Sequence, residues 1–206
     1  MSITLALILI TVVISLWGFN NPALMDRWVM NPYKVSRSGQ YYRLLTSGFL
    51  HADFGHLFFN MFSFYIFGGM IERIFTSLFG AGGEIYLLVF YLVGIIVSDI
   101  PTLIRHRNDP RYNSLGASGG VSSIIFAAIL FFPLNDVCLY GIICFPGFIF
   151  GLLYVLYSVY ESRRGVGNIN HDAHLYGALF GILFMVVVYP PVLPSFFEQV
   201  SGWRLF

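Results

Sequence analysis

Long apolar runs separated by short clusters of Gly, Pro, Asn and Asp set the rhythm of this chain. Six runs are each near the ~20 residues that a helix needs to cross a hydrocarbon core. They fall at about 3–19, 54–76, 84–104, 115–132, 137–159 and 171–190. The breaks are turn-formers: Gly80-Ala81-Gly82-Gly83, Asn108-Asp109-Pro110, Pro133-Leu134-Asn135-Asp136 and Pro190-Pro191. The pattern predicts an all-α polytopic membrane protein with six transmembrane helices in one domain over residues 1–206. The first run has no basic n-region and no A-x-A-like exit, so it is expected to span rather than to be a cleaved signal. The longest polar stretch, about 20–53, mixes Asp26, Arg27, Lys34 and Arg37 with Trp28, Tyr33, Tyr41, Tyr42 and Phe49. That mixture suits a segment in the membrane interface, and equally an ordinary water-exposed loop.

Composition agrees with the hydropathy. Of 206 residues, 57% are hydrophobic and 10% charged, with a mean hydropathy of +0.76. Soluble domains carry about 25% charged residues. A net charge of +1 with no basic run gives no sign of a nucleic-acid partner. Cys138 and Cys144 lie in an apolar run and are expected to be packing residues rather than a disulfide.

The polar residues inside these runs carry the candidate chemistry. Runs two, four and six are separated by single crossings, so they traverse the bilayer in the same direction. His56 and Asn60 start run two, Ser118 starts run four and His174 starts run six. All four therefore lie toward one face, within ~10 Å of its surface at the helical rise of 1.5 Å per residue. Lipid solvates none of these groups, so they are expected to face protein or a water-filled cavity. His56 and Asn60 are four apart and share a helical face. Gly116 and Gly120 flank Ser118, while Gly177 and Gly181 follow His174 at i+3 and i+7, allowing close helix approach. Either glycine pair alone also suits plain helix packing. A hydroxyl and an imidazole brought within about 3 Å make a nucleophile and its base. A third, acidic member is not evident. Asp172 points away from His174, Asp99 is a weak candidate, and Glu72 and Glu84 lie toward the opposite face. A Ser–His dyad is the simplest reading.

These residues resemble the rhomboid family of intramembrane serine proteases. The resemblance rests on His51-Ala52-Asp53-Phe54-Gly55-His56-Leu57-Phe58-Phe59-Asn60, Gly116-Ala117-Ser118-Gly119 and Ala173-His174-Leu175-Tyr176-Gly177. Gly39-Gln40-Tyr41-Tyr42-Arg43 and Gly68-Gly69-Met70-Ile71-Glu72 add to it, so it runs from about residue 39 to Gly181. It implies a six-transmembrane-helix rhomboid-like bundle that hydrolyses peptide bonds in or next to transmembrane segments of membrane proteins. Ser118 would be the nucleophile and His174 the base, then the acid to the leaving amine. His56 and Asn60, with the Ser118 N–H, would stabilise the oxyanion, and Gly116, Gly119 and Gly177 would leave room for a substrate backbone. Glu72 looks like a structural carboxylate tying helix ends. No cofactor and no metal is implied. The partners are transmembrane protein substrates and membrane lipid, and the sequence leaves the oligomeric state open.

Two positions depart from the family pattern. Tyr42-Arg43 stands where a Trp-Arg pair is usual, and Ser122 stands where many members pack an aromatic on the histidine. Asn168, Asn170 and His171 are expected to form a polar entrance for water. The alternative within the family is a non-catalytic rhomboid-like protein that binds membrane clients. That class typically loses the serine or histidine, and this chain keeps both. A transporter needs a polar path to the far face, where runs two, four and six are mostly Phe, Ile, Leu and Val. A metalloprotease through His171, Asp172 and His174 lacks H-E-x-x-H.

The expected location is a multi-pass position in a bacterial inner membrane. Family cores place both termini in the cytoplasm and the active site outward. That orientation leaves only Arg73 and Arg204 inside and puts Arg27, Lys34, Arg37, Arg43, Arg105, Arg107, Arg111, Arg163 and Arg164 outside, reversing the usual positive-inside bias. With the family orientation, a C-terminal fluorescent-protein fusion glows and a reporter active only outside the cytoplasm stays silent. The opposite pair of results shows inverted insertion.

Overall fold

The structure, a computed structural model, describes residues 2–139, 142–164 and 169–204. The chain begins with helix α1 (Ile3–Phe19) and three short helices, α2 (Pro22–Trp28), α3 (Pro32–Ser38) and α4 (Arg43–Thr46). Then come α5 (Phe54–Ser63), α6 (Gly69–Phe79), α7 (Gly83–His106) and α8 (Ser118–Phe131). A hairpin of β1 (Asp136–Leu139) and β2 (Ile143–Pro146) leads into α9 (Gly147–Arg164), α10 (His171–Val188) and α11 (Val192–Gly202).

Among the described residues, two helical segments are long and apolar enough to cross a membrane by length and composition, Phe54–His106 and His171–Val188. Ile3–Phe19 and Ser118–Phe131 are apolar but shorter. The 53-residue run Phe54–His106 contains two of the expected spans. A π-helical stretch at Phe64–Gly68 joins α5 to α6, and the chain reverses through a 3₁₀ turn at Gly80–Gly82. There a Cβ on Gly83 would lie 2.5 Å from the Phe75 carbonyl oxygen, so only glycine lets α7 start against α6. Phe79 then stacks on Tyr86 at 4.2 Å, and Phe75 meets Phe90.

Helix α8 is the hub. Every residue from Gly119 to Leu130 is buried, so the helix is enclosed on all sides rather than along one stripe. Around it Phe64 stacks on Tyr91 at 4.3 Å and Phe90 on Phe184 at 4.4 Å. Helix α11, which the hydropathy pattern did not show, starts after Pro190-Pro191. It sends Gln199 Nε2 to the Phe131 carbonyl at 3.3 Å, satisfying an acceptor at the end of α8.

The chain is mostly helical, as expected, but the fifth expected span, 137–159, needs correction. It opens within the antiparallel hairpin, and helix begins only at Gly147. A continuous apolar run carries no period that separates strand from helix. The strands are anchored by Gly147 N–H and Phe148 N–H, which donate to the Asn135 and Pro133 carbonyls at 2.9 Å. The hairpin register sets Cys138 opposite Cys144, and the two form a disulfide where packing was expected. Both are exposed.

At the same end Glu72 of α6 ties down the start of α1. Its carboxylate accepts from Ser2 Oγ at 2.7 Å, Ile3 N–H at 2.8 Å and Thr4 N–H at 3.1 Å. A carboxylate at a helix N-terminus satisfies free donors and opposes the helix dipole. A groove of about 520 Å³ opens beside it, lined by Ser2, Gly69, Glu72, Arg73, Thr76 and Ser77. It lies at the opposite end of the bundle from Ser118 and His174.

Removing the carboxylate leaves three donors unpaired. Glu72→Ala is therefore expected to lower stability in detergent by about 3 kcal/mol, measured by thermal or denaturant melting. If the termini lie in the cytoplasm, Cys138 and Cys144 are kept reduced in cells and react with maleimide without prior reduction. Protection that reductant removes would place the hairpin end in an oxidising compartment.

Candidate active site

Ser118 is the first residue of α8, and the backbone before it is held from below. Ser114 and Met30 exchange N–H···O bonds at 3.0 and 2.9 Å, and Gly116 N–H donates to the Ser47 carbonyl at 3.0 Å. Ala117 N–H reaches His51 Nε2 at 3.4 Å. With Nε2 accepting, the proton of His51 sits on Nδ1 and donates to Ser15 Oγ at 2.8 Å; Ser15 in turn donates to the Phe49 carbonyl. His51 is fully buried and its ring meets His56 edge-on at 4.9 Å. Each donor named here is satisfied, as a buried loop requires.

The segment 20–53 that supplies these partners is itself helical and braced. Asn21 and Asn31 cap α2 and α3, each with Pro at the first helical position. The buried Asn31 amide donates to the Pro110 and Tyr112 carbonyls and to Asn113 Oδ1. Buried Arg43 donates to the carbonyls of Asp26 and Val29 at 2.7 and 2.8 Å, closing the end of α2. The Tyr42-Arg43 pair thus keeps a structural cation, with the guanidinium 5.6 Å from the Tyr42 ring.

His56 and Asn60 share one face of α5, whose N-cap Asp53 accepts from His56 N–H at 2.8 Å. The Asn60 amide donates to the His56 carbonyl at 2.9 Å and is buried. Gly116 adopts φ +125°, and a Cβ there would fall 2.6 Å from His56 Cε1. The imidazole of His56 therefore lies over this positive-φ glycine, two residues before Ser118.

Helices α8 and α10 meet backbone to backbone. A Cβ on Gly177 would sit 2.2 Å from the Gly119 carbonyl oxygen, and one on Gly181 2.3 Å from that of Ser123. A Cβ on Gly119 would strike Ser98 Oγ at 1.9 Å and lie 3.4 Å from the Ala173 carbonyl. The approach that Gly119 and Gly177 allow is thus between helices. Gly120 faces Ile95 and Tyr91 of α7. Ser118 and His174 each adjoin a residue of this contact, Gly119 and Ala173, at the same end of the two helices.

The acidic residues near the site have other partners. Asp99 accepts from Ser47 Oγ at 3.5 Å and Asn170 Nδ2 at 3.3 Å. Asp172 pairs with Arg105 at 2.6 Å and accepts from Ser162 Oγ, joining the ends of α7, α9 and α10. Asn170, expected at a water entrance, is spent inside the protein. It caps α10 through Ala173 N–H at 3.1 Å, accepts from Thr102 and donates to Ser114 Oγ at 2.9 Å. Asn168, of the same expected entrance, lies outside the described residues. His171 is buried against Tyr157, and its Nδ1 has no hydrogen-bond partner among the described residues.

The departure at Ser122 has a structural answer. Its hydroxyl shares a 2.6 Å hydrogen bond with the Tyr154 hydroxyl of α9, and the Tyr154 ring lies 6.0 Å from His174. Sequence reasoning missed Tyr154, His51 and Ser47. Tyr154 gives no signal beyond one aromatic among many. His51 and Ser47 are polar residues beside apolar runs, and their burial is the sign a sequence does not print.

Comparison with known proteins matches residues 38–191 to the Rhomboid domain. The chain is 31% identical to RHOMBOID-like protein 12, mitochondrial, of Arabidopsis thaliana over 172 residues, 74% of this chain and 49% of that protein. It is 35% identical to the putative rhomboid protease YdcA of Bacillus subtilis over 152 residues, 71% of this chain and 66% of that one. With the rhomboid protease GlpG of Haemophilus influenzae it shares 26% over 154 residues, 74% and 72% of the two chains. Against the Arabidopsis and Bacillus proteins, then, the match spans about half to two thirds of the relative's length. The matched domain covers well over half of the chain and contains Ser118, His174 and the helices that carry them, so this chain belongs to the rhomboid family of membrane proteins.

Proposed function

We propose that this chain is an intramembrane serine endopeptidase acting through a Ser118–His174 dyad. The observation that carries the reading is the glycine contact of α8 with α10, which brings a hydroxyl and an imidazole to the same end of two touching helices. Ser118 Oγ attacks the scissile carbonyl carbon while its proton passes to His174. The oxyanion is stabilised by the Ser118 N–H at the positive end of α8, with His56 and the Asn60 amide as further donors. The C–N bond then breaks, and His174 returns the proton to the leaving amine. Water, deprotonated by His174, hydrolyses the serine ester and restores the enzyme. No carboxylate is assigned to the imidazole, because Asp99 and Asp172 are committed elsewhere.

The substrates are membrane proteins, cut in or next to a transmembrane segment that unwinds locally, since a helix shields its peptide bonds. The same reading sets residues 1–206 as one domain crossing a bacterial plasma membrane six times, with the Ser118 end outward. Two protease-named bacterial relatives and retention of both dyad residues support it.

A serine-reactive fluorophosphonate tests the dyad in detergent. Wild type is expected to label, and Ser118→Ala and His174→Ala are expected not to. His56→Ala or Asn60→Ala should retain labelling while lowering turnover roughly 10²–10³-fold, about 3 kcal/mol of transition-state stabilisation. Label retained in Ser118→Ala would refute the assignment.

A further inference from the structure

Among the described residues, no side-chain hydrogen bond holds the His174 imidazole. Its neighbours are rings: Tyr154 at 6.0 Å and 30°, and His171 at 5.7 Å and 82°. A base that must meet one hydroxyl within hydrogen-bond reach needs its ring plane fixed, and here packing must supply that. His171 is a weak support, since it sits in the same first turn of α10 and makes no hydrogen bond through its buried Nδ1. Tyr154 is held from three sides. Its hydroxyl bonds Ser122 Oγ at 2.6 Å, and its ring meets Phe126 at 5.5 Å and Phe150 at 5.9 Å. Ser122 is buried and lies four residues after Ser118, on the same face of α8. The helix that carries the nucleophile therefore also fixes the ring beside the base.

We infer that Tyr154 is a positioning residue for His174, seated by Ser122, so that α9 completes a site whose reacting groups lie on α8 and α10. The ring supports the neutral imidazole by contact. It also offers a π face close to the imidazolium that forms when Ser118 gives up its proton. The ring is the working part, and the hydroxyl sets its position. Tyr154 enters α9 one turn after Gly151, where a Cβ would only just clear Phe126 at 3.4 Å, so the seat depends on how closely α9 packs on α8.

This inference rests on the Ser118–His174 reading, and one series separates the two. The measurement is the inactivation rate constant and KI for a fluorophosphonate, with melting temperature in the same detergent. In that reaction Ser118 Oγ bonds to phosphorus, fluoride leaves and the proton goes to His174. Tyr154→Leu is expected to slow inactivation roughly 10–100-fold, as misplaced catalytic groups do, with KI within about 2-fold of wild type. Tyr154→Phe keeps the ring and should stay within about 3-fold of wild type, while Ser122→Ala falls between the two. Adding Ser122→Tyr to Tyr154→Leu returns an aromatic from α8 and should recover much of the rate. A Leu variant as fast as wild type overturns the inference. So does a Phe variant as slow as Leu, or a rate loss that merely follows melting temperature. A wild type that does not label overturns the dyad itself.

Discussion

The fold and its site depend on one close contact, the crossing of α8 and α10 at Gly119–Gly177 and Ser123–Gly181. No side chain fits between them: the Cβ of any other residue at 177 or 181 would lie far inside the van der Waals contact distance to a carbonyl oxygen. In a bilayer the lipid tails are as apolar as the side chains, so helices associate through packing rather than through exclusion of water. Small residues make that packing strong because the backbones themselves touch. Here the contact also brings the start of one helix beside the start of the other, and each start carries one residue of the proposed dyad. Packing and chemistry are thus the same feature seen at two heights.

Around that contact runs a second layer, made of polar groups that have no water to bind. The backbone before Ser118 is held by Met30, Ser47 and His51, all from the segment between α1 and α5. Asn170 links the cap of α10 to Ser114, Thr102 and Asp99. A buried donor left unpaired is costly, so each of these bonds resists displacement of the loop. Glu72 does the equivalent work at the other end, where it fixes α1 to α6. The site is therefore rigid beneath Ser118, and its looser support lies on the α9 side, where rings rather than hydrogen bonds reach His174.

Much of the bundle was legible in the pattern of apolar runs. The run at 3–19 matches α1, and those at 54–76, 84–104 and 171–190 match their helical segments to within a few residues. Turn-forming residues marked where those runs end. The run at 137–159 was misread because uninterrupted hydrophobicity looks alike in a strand and in a buried helix. Only pairing reveals the hairpin, and with it the disulfide. Helix α11 escaped because eleven residues are too few to register as a membrane-length run.

Hydropathy and motifs along the chain were enough to establish its membrane character, the family it resembles and the order of its candidate site residues. Those properties are local: hydropathy sums over neighbours, and motifs are strings. Which aromatic lies beside His174, which carboxylate ends on Arg105 and which histidine holds Ala117 were decided only by the tertiary structure. Each of these joins residues from 20 to 67 positions apart, as Tyr154 with His174 and Arg105 with Asp172 do. Such pairs meet only after the glycine contacts fix how the helices cross. The chain alone names Ser122 as a gap in a pattern; the packed bundle fills it from another helix.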